Sequence, residues 1–223
     1  MKSRLFPFLF IMVSLFTFAQ EKINQFDAKG NRNGIWKKYH PNKLLRYEGQ
    51  FKNGKEIGVF KFYSPATNEF PELVKIFSKE SDSAKIEFYN NKGIVESKGL
   101  MIEKNRAGKW LYFKDDGKTV IAEEHYVNGV LNGLSKTFYL DSKLAEEKNY
   151  ENGKIEGVLK RYAESGILQN ELTYSKGKLN GLSKYYNSNG ELIYTGIFEN
   201  DVKIGDWQYY ENGKKVNGNK LKQ

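Results

Sequence analysis

The chain has 223 residues, enough for one ordinary domain or one long array of repeats. It contains no cysteine, which excludes a disulfide framework, a thiolate nucleophile and an acylated lipoprotein cysteine. The formal net charge of +9 is spread over mixed Lys and Glu positions. Because nucleic-acid binders cluster their basic residues on one face, this distribution excludes nucleic acid as the expected partner.

The first residues are typical of a secretory signal peptide. Two basic residues precede an apolar run from Leu5 to Phe18, which is shorter than the roughly 20 apolar residues that span a bilayer. Small residues at Thr17 and Ala19 fit cleavage after Ala19. The sequence therefore predicts a signal peptide over residues 1–19 and an exported product that is periplasmic, at the cell surface or secreted. An uncleaved N-terminal anchor is the alternative.

After a lead-in at residues 20–29, a unit of about 24 residues repeats from residue 30 to residue 213. Each copy is anchored by a glycine, and the third copy has alanine instead. The eight anchors are Gly34, Gly58, Ala84, Gly108, Gly133, Gly157, Gly181 and Gly205. A fixed period of this length is the signature of a repeat array in which each unit contacts its neighbours.

Aromatic residues recur at fixed distances from the anchors. The residue five positions after the anchor is aromatic in all eight copies, and the residue two positions after it is apolar except at Ser135 and Ser183. Apolar and polar residues alternate between Asn-Gly or Lys-Gly pairs, which predicts strands joined by tight turns. The predicted fold is all-β, an elongated antiparallel meander of about eight β-hairpins. We expect the anchor glycines to make room for an aromatic ring of the adjacent strand.

The repeated sequence resembles the bacterial MORN-repeat-variant family. The segments that carry the resemblance follow the pattern N-G-K-x-x-G-x-W-x-x-Y. They include NGKEIGVFKFY (Asn53 to Tyr63) and ENGKIEGVLKRY (Glu151 to Tyr162). The resemblance implies an interaction scaffold or a lipid-associated module, of the kind often catalogued as antitoxin-like or immunity-like. It implies no catalytic residue in this sequence.

The residue types used in catalysis do not form a convergent set. His40 and His125 are the only histidines, and we expect both to face solvent. The adjacent acids Glu123 and Glu124, like Glu146 and Glu147, lie on predicted strands, where neighbouring side chains point to opposite faces. A pair of carboxylates across a cleft is therefore not expected. We predict a non-enzymatic protein without catalytic, cofactor-binding or metal-binding residues.

The third unit departs from the pattern over residues 64–85. It lacks turn glycines and contains Pro65 and Pro71, which favour an edge or a loop over a central strand. A loop projecting from a regular array is a candidate recognition element, with Pro65, Asn68, Phe70 and Pro71 as candidate binding residues. Decay of the repeat is the alternative. The basic tail at residues 214–223 is an incomplete repeat.

These features predict an exported scaffold that binds another protein. The alternative is a peripheral binder of membrane lipid or of an anionic or glycan envelope polymer, using lysines and exposed aromatic residues. The open edges of such a sheet also allow self-association.

Overall fold

The computed structural model describes residues 22–78 and 83–217. The predicted signal peptide and most of the basic tail lie outside these residues. Within the described part of the chain, all regular secondary structure is β-strand. No helix in that part is therefore long and apolar enough to cross a membrane.

Nineteen strands follow one another along the chain. They are β1 (Gln25–Phe26), β2 (Arg32–Tyr39), β3 (Leu45–Lys52), β4 (Lys55–Phe62), β5 (Leu73–Phe77), β6 (Ser83–Tyr89), β7 (Val95–Ile102), β8 (Asn105–Phe113), β9 (Val120–Val127), β10 (Val130–Leu131), β11 (Gly133–Phe138), β12 (Leu144–Glu151), β13 (Lys154–Ile155), β14 (Gly157–Tyr162), β15 (Leu168–Ser175), β16 (Lys178–Tyr186), β17 (Leu192–Glu199), β18 (Val202–Glu211) and β19 (Lys214–Val216).

The strands form one open antiparallel sheet in which consecutive strands pair, apart from β10 with β11 and β13 with β14. The short strands β10 and β13 each continue, after one residue, into the following strand. As a result β10 and β11 both pair with β9, and β13 and β14 both pair with β12. The predicted all-β meander of hairpins is confirmed.

Tight turns close the hairpins along one long edge of the sheet. At Asn53-Gly54 and Asn152-Gly153, both central residues have positive φ, between 49° and 79°. Two successive positive φ angles define the turn whose twist matches paired strands, and Asn-Gly is the favoured sequence for it. The Asn-Gly pairs therefore set the positions of these hairpins, as the sequence predicts.

The anchor glycines have a different role from the expected one. A Cβ atom built at Gly34, Gly108, Gly157 or Gly205 would meet no atom within 4 Å, so these glycines make no room for a ring. All four have positive φ, between 61° and 83°. At Gly108 the backbone bulges, because β8 has more residues than β7 between their paired positions. The anchors are glycine because of backbone conformation, and the expectation of a space-making role is wrong.

A second set of glycines makes that room. Gly49, Gly99 and Gly196 lie in ordinary extended backbone, and each is covered by the ring of Phe60, Trp110 or Trp207 on the next strand. A Cβ atom there would lie 2.2–2.4 Å from ring atoms. We call these three contacts the glycine–ring pairs. They bring large rings close to the sheet and exclude water from its backbone.

The core lies on one face of the sheet, here called the inner face. Its centre is the core row, formed by the residues two positions after each anchor. Phe60 and Trp110 in this row are 0% exposed, and the two serines of the row are also buried. The full row is Trp36, Phe60, Ile86, Trp110, Ser135, Leu159, Ser183 and Trp207. The aromatic positions thus form the packed seam of a single-layer sheet.

Candidate binding surface

The predicted recognition element is a loop at residues 63–72, between β4 and β5. It has ten residues, twice as many as the turn at residues 40–44. Pro65, Asn68 and Phe70 are exposed, and Pro71 is half-buried. The two prolines therefore lie in a loop, as expected. After the loop, β5 and β6 are central strands paired on both sides.

Neighbouring turns hold this loop in place. The Asn42 side-chain amide donates a hydrogen bond to the Pro65 carbonyl oxygen at 2.7 Å. On the other side, the Phe70 ring packs against Gly93, where a Cβ atom would lie 2.5 Å from the ring. Phe70 is nevertheless 38% exposed. The loop therefore presents an aromatic side chain to solvent from a defined position.

A second row of residues crosses the inner face beside the core row and is here called the inner row. Each member pairs with the next across neighbouring strands. The members are Lys38, Tyr47, Phe62, Leu73, Phe88, Ser97, Tyr112, Ala122, Thr137, Glu146, Arg161, Asn170, Tyr185, Tyr194 and Tyr209. Aromatic residues dominate both ends. The polar gap between them consists of Thr137, Glu146, Arg161 and Asn170.

Charges within the polar gap are paired. The Glu146 carboxylate accepts a hydrogen bond from Arg161 Nε at 2.6 Å and another from Lys148 Nζ at 2.7 Å, and its side chain is only 16% exposed. Burial acts to raise the pKa of Glu146, but the hydrogen bonds from Lys148 and Arg161 outweigh it, and the pKa is lowered. This cluster holds the sheet together where aromatic rings are missing.

The opposite face, here called the outer face, carries a ladder of Lys and Glu residues. Lys and Glu alternate across successive strands, with apolar residues at two rungs and uncharged polar residues at the last two. The ladder consists of Lys37, Glu48, Lys61, Val74, Glu87, Lys98, Leu111, Glu123, Lys136, Glu147, Lys160, Glu171, Lys184, Thr195 and Gln208. Opposite charges at directly paired positions stabilise neighbouring strands.

The tyrosines five positions after the anchors strengthen this ladder. The hydroxyl groups of Tyr63, Tyr162 and Tyr186 donate hydrogen bonds to ladder glutamates at 3.0–3.3 Å. Burial raises the pKa of Tyr186 to about 12, and its hydrogen bond to Glu171 adds to the shift. These contacts explain the aromatic residue at this position in the three units that contain Tyr63, Tyr162 and Tyr186.

The histidines and paired acids do not form a reactive centre. His40 Nε2 lies 3.0 Å from the Tyr63 carbonyl oxygen, and His125 Nδ1 lies 2.8 Å from that of Leu134. Both are half-buried. Glu146 and Glu147 point to opposite faces, as predicted. No group of three His, Asp or Glu side chains suited to a metal ion occurs within residues 22–78 and 83–217.

A family model described as the MORN repeat variant matches residues 32–53, 131–154, 155–176 and 179–200. These four segments are MORN repeat variants. Repeats of this kind are protein-binding or membrane-binding modules. The four matched segments contain the polar gap and its flanking tyrosines, whereas the loop at residues 63–72 lies outside them. No curated protein matches the sequence.

Some solved structures contain a region similar to part of this array. One is a crystal structure of a GtfA/B complex, with 15% identity over 43% of this chain and a TM-score of 0.30. Another is a S. aureus TarM mutant in complex with Fondaparinux, alpha-GlcNAc-glycerol and UDP, with 11% identity over 55% of this chain and the same TM-score. The chain covers 19% and 21% of those two proteins. At these TM-scores, neither match bears on its function.

Proposed function

We propose that this protein is an exported, non-enzymatic repeat scaffold that binds another protein through the loop at residues 63–72. The observation that carries the proposal is the geometry of Phe70, which is exposed although its ring is held against the turn of the next unit. Export is proposed from the sequence of residues 1–19.

An exposed aromatic side chain on a well-positioned loop is suited to protein recognition. Aromatic residues supply much of the binding energy in protein interfaces. A loop that is already ordered loses less conformational entropy when its partner binds. The hydrogen bond from Asn42 to the Pro65 carbonyl and the packing of Phe70 on Gly93 both restrict this loop before binding. The adjacent glutamates on the strands support a non-enzymatic role, because the two carboxylates of each pair point to opposite faces of the sheet.

The alternative partner, an anionic lipid or polymer, is less well supported by the outer face. Its lysines alternate with glutamates, and Lys37, Lys109 and Lys184 lie 2.8–3.3 Å from a glutamate carboxylate. A polyanion that binds there has to compete with these intramolecular pairs. Such binding would also weaken steeply with salt, whereas an interface centred on an aromatic residue would not.

The test compares three immobilised proteins, namely the wild type, Phe70→Ala and Leu140→Ala, in pull-downs from an envelope extract at 0.1 and 0.5 M salt. Leu140 is the matched control because it is an exposed apolar residue in an ordinary turn on the same edge. We expect a stoichiometric protein partner that Phe70→Ala loses and Leu140→Ala retains, at both salt concentrations. Equal retention by both variants, or recovery of lipid or polymer alone, contradicts the proposal.

A further inference from the structure

Four hairpin turns of the described chain have the sequence Asn-Gly with positive φ at both residues. Their asparagines are Asn53, Asn128, Asn152 and Asn212, with φ between 49° and 51°. In the other Asn-Gly pairs whose two residues are both described, the glycine lies in a strand or in the turn at residues 187–191. Asn-Gly is a reactive sequence, because glycine has no side chain to hinder attack of its backbone nitrogen on the preceding carboxamide. The fold suppresses this reaction where it restrains that nitrogen.

Three of the four turns restrain the glycine nitrogen by a hydrogen bond. The N–H groups of Gly54, Gly129 and Gly153 each donate to a backbone carbonyl oxygen about one repeat earlier in the chain, at 2.8–2.9 Å. These bonds connect successive turns along one edge of the sheet. Attack on the asparagine requires the glycine nitrogen to lose its proton and turn toward the side chain. Since the hydrogen bond has to break first, these three asparagines are protected.

The turn at Asn212 and Gly213 lacks this restraint. It lies on the opposite edge of the sheet, between β18 and β19. The Gly213 N–H has no hydrogen-bond partner among the described residues. Both residues of the turn are exposed, so water reaches the carboxamide. The hairpin is also short, because β19 pairs with β18 at three positions and with no other described strand.

We propose that Asn212 is a site of spontaneous deamidation. The Gly213 nitrogen attacks the carboxamide carbon of Asn212, and the new N–C bond closes a succinimide ring. The C–N bond of the side-chain amide breaks, and its nitrogen leaves as ammonia with the proton that Gly213 loses. Water then opens the succinimide at either of its two carbonyl carbons and gives aspartate or isoaspartate. Water is the only other reactant.

The isoaspartate product changes the end of the sheet. It routes the backbone through the former side chain and so adds one methylene group before Gly213. This turn joins its strands through two successive positive φ angles, and the extra atom breaks that geometry. Because three residue pairs hold β19, we expect its release, which exposes the edge of β18 to pairing with another strand. Aspartate keeps the ordinary backbone, and Asp-Gly is itself a favoured turn sequence.

Timed incubation of the purified protein in neutral buffer, followed by peptide mapping with mass spectrometry, tests the site. Trypsin cleavage after Lys203 and Lys214 gives a peptide in which Asn212 is the only asparagine, and a chymotryptic digest reports the other three turns. We expect Asn212 to convert about fivefold faster than these internal controls, the factor that corresponds to one ordinary hydrogen bond. In urea the four rates should converge. Equal rates in the folded protein, or a difference that persists unchanged in urea, would overturn the proposal.

Hydrogen exchange tests the release of β19. Its matched control is freshly purified Asn212→Asp, which has the charge of the product and an ordinary backbone. We expect the amides paired between β18 and β19 to lose protection in the isoaspartate-containing protein and to keep it in Asn212→Asp and in the unmodified protein. Equal protection in all three would contradict the release. Loss of protection in Asn212→Asp would show that charge, and not the altered backbone, opens the hairpin.

Discussion

The inner face is packed in one way at the tryptophan hairpins β7–β8 and β17–β18, and in another way at the hairpins between them. In the tryptophan hairpins a ring covers a glycine, and a cation lies over the ring. Arg106 is 4.3 Å from the centroid of Trp110, and Lys203 is 4.3 Å from that of Trp207. Cation–π contacts of this geometry favour burial of the ring.

The hairpins between them use smaller core residues and larger partners. Ser183 takes the core-row position and pairs with Leu172, and Ser135 pairs with Lys148. The space that a ring fills in one unit is thus filled from the neighbouring strand in another. This difference shows that adjacent strands together fill the volume of the core. Close packing therefore does not require the same residue type at the core-row position of every unit.

The largest loss of stability is expected from Trp110→Ala. Removing a fully buried ring leaves a cavity and should reduce the free energy of unfolding by about 3–5 kcal/mol. Leu159→Ala, at the same position of a unit without a ring, removes less apolar surface and should cost less. Urea denaturation of both variants checks the ranking. An equal or larger loss in Leu159→Ala would show that the tryptophan hairpins are not the stronger part of the core.

Coupling between glycine and ring is tested by Gly99→Ala. A methyl group at Gly99 would lie 2.4 Å from the Trp110 ring, and overpacking of this kind should cost about 1–3 kcal/mol. In a Trp110→Ser background, which imitates the Ser183 unit, the same substitution should cost almost nothing. The double-mutant cycle therefore predicts a strong interaction between the two sites. Additive effects would contradict the volume-sharing explanation.

The variant Glu146→Gln tests the role of charge in the polar gap. It should lower the free energy of unfolding by about 1–3 kcal/mol, because two hydrogen bonds to a charged group are weakened. The matched control is Glu147→Gln on the outer face, where the ion pair to Lys160 is 3.8 Å long and the cost should stay below about 1 kcal/mol. The pKa of Glu146 is lowered in the folded protein. Its contribution is therefore present above the ordinary carboxyl range and is lost as the pH falls through the lowered pKa.

The smallest expected effect is a pH-dependent change in stability caused by the tyrosines that contact the outer face. Burial raises the pKa of Tyr89 and of Tyr186 to about 12, with hydrogen bonds to Glu87 and Glu171 contributing. A raised pKa favours the protonated phenol in the folded state, so its stabilisation is complete below pH 10 and is lost between pH 10 and 12. Thermal melting at pH 9 and 11 should show a smaller drop for Tyr186→Phe than for the wild type. An identical drop would exclude a contribution from Tyr186.

The sequence predicts the meander because two local signals agree along most of the repeat array. Asn-Gly pairs fix the turns, and the period of about 24 residues fixes how often they occur. The loop with Phe70 is also predictable, since two prolines and missing turn glycines interrupt an otherwise regular pattern. A surface that is specific to one unit stands out when all units are compared with one another.

Other features were not predictable in the same way. A glycine in a strand indicates either an unusual φ or close approach of a neighbour, and repeat spacing does not distinguish these two causes at Gly108 and Gly99. Asn170 and Glu146 are recognisable only as polar residues eleven positions before an anchor, at a site that is mostly apolar in other units.

The glycine–ring pairs have a consequence for how the chain folds. In each pair the glycine and the ring are eleven residues apart, as in Gly49 and Phe60 or Gly99 and Trp110, and a tight turn joins their strands. Each of these contacts can therefore form inside one hairpin, before any other strand is in place. Such a topology has a low contact order, which favours rapid folding. Growth of the sheet can then begin at any of these three hairpins and proceed strand by strand in both directions.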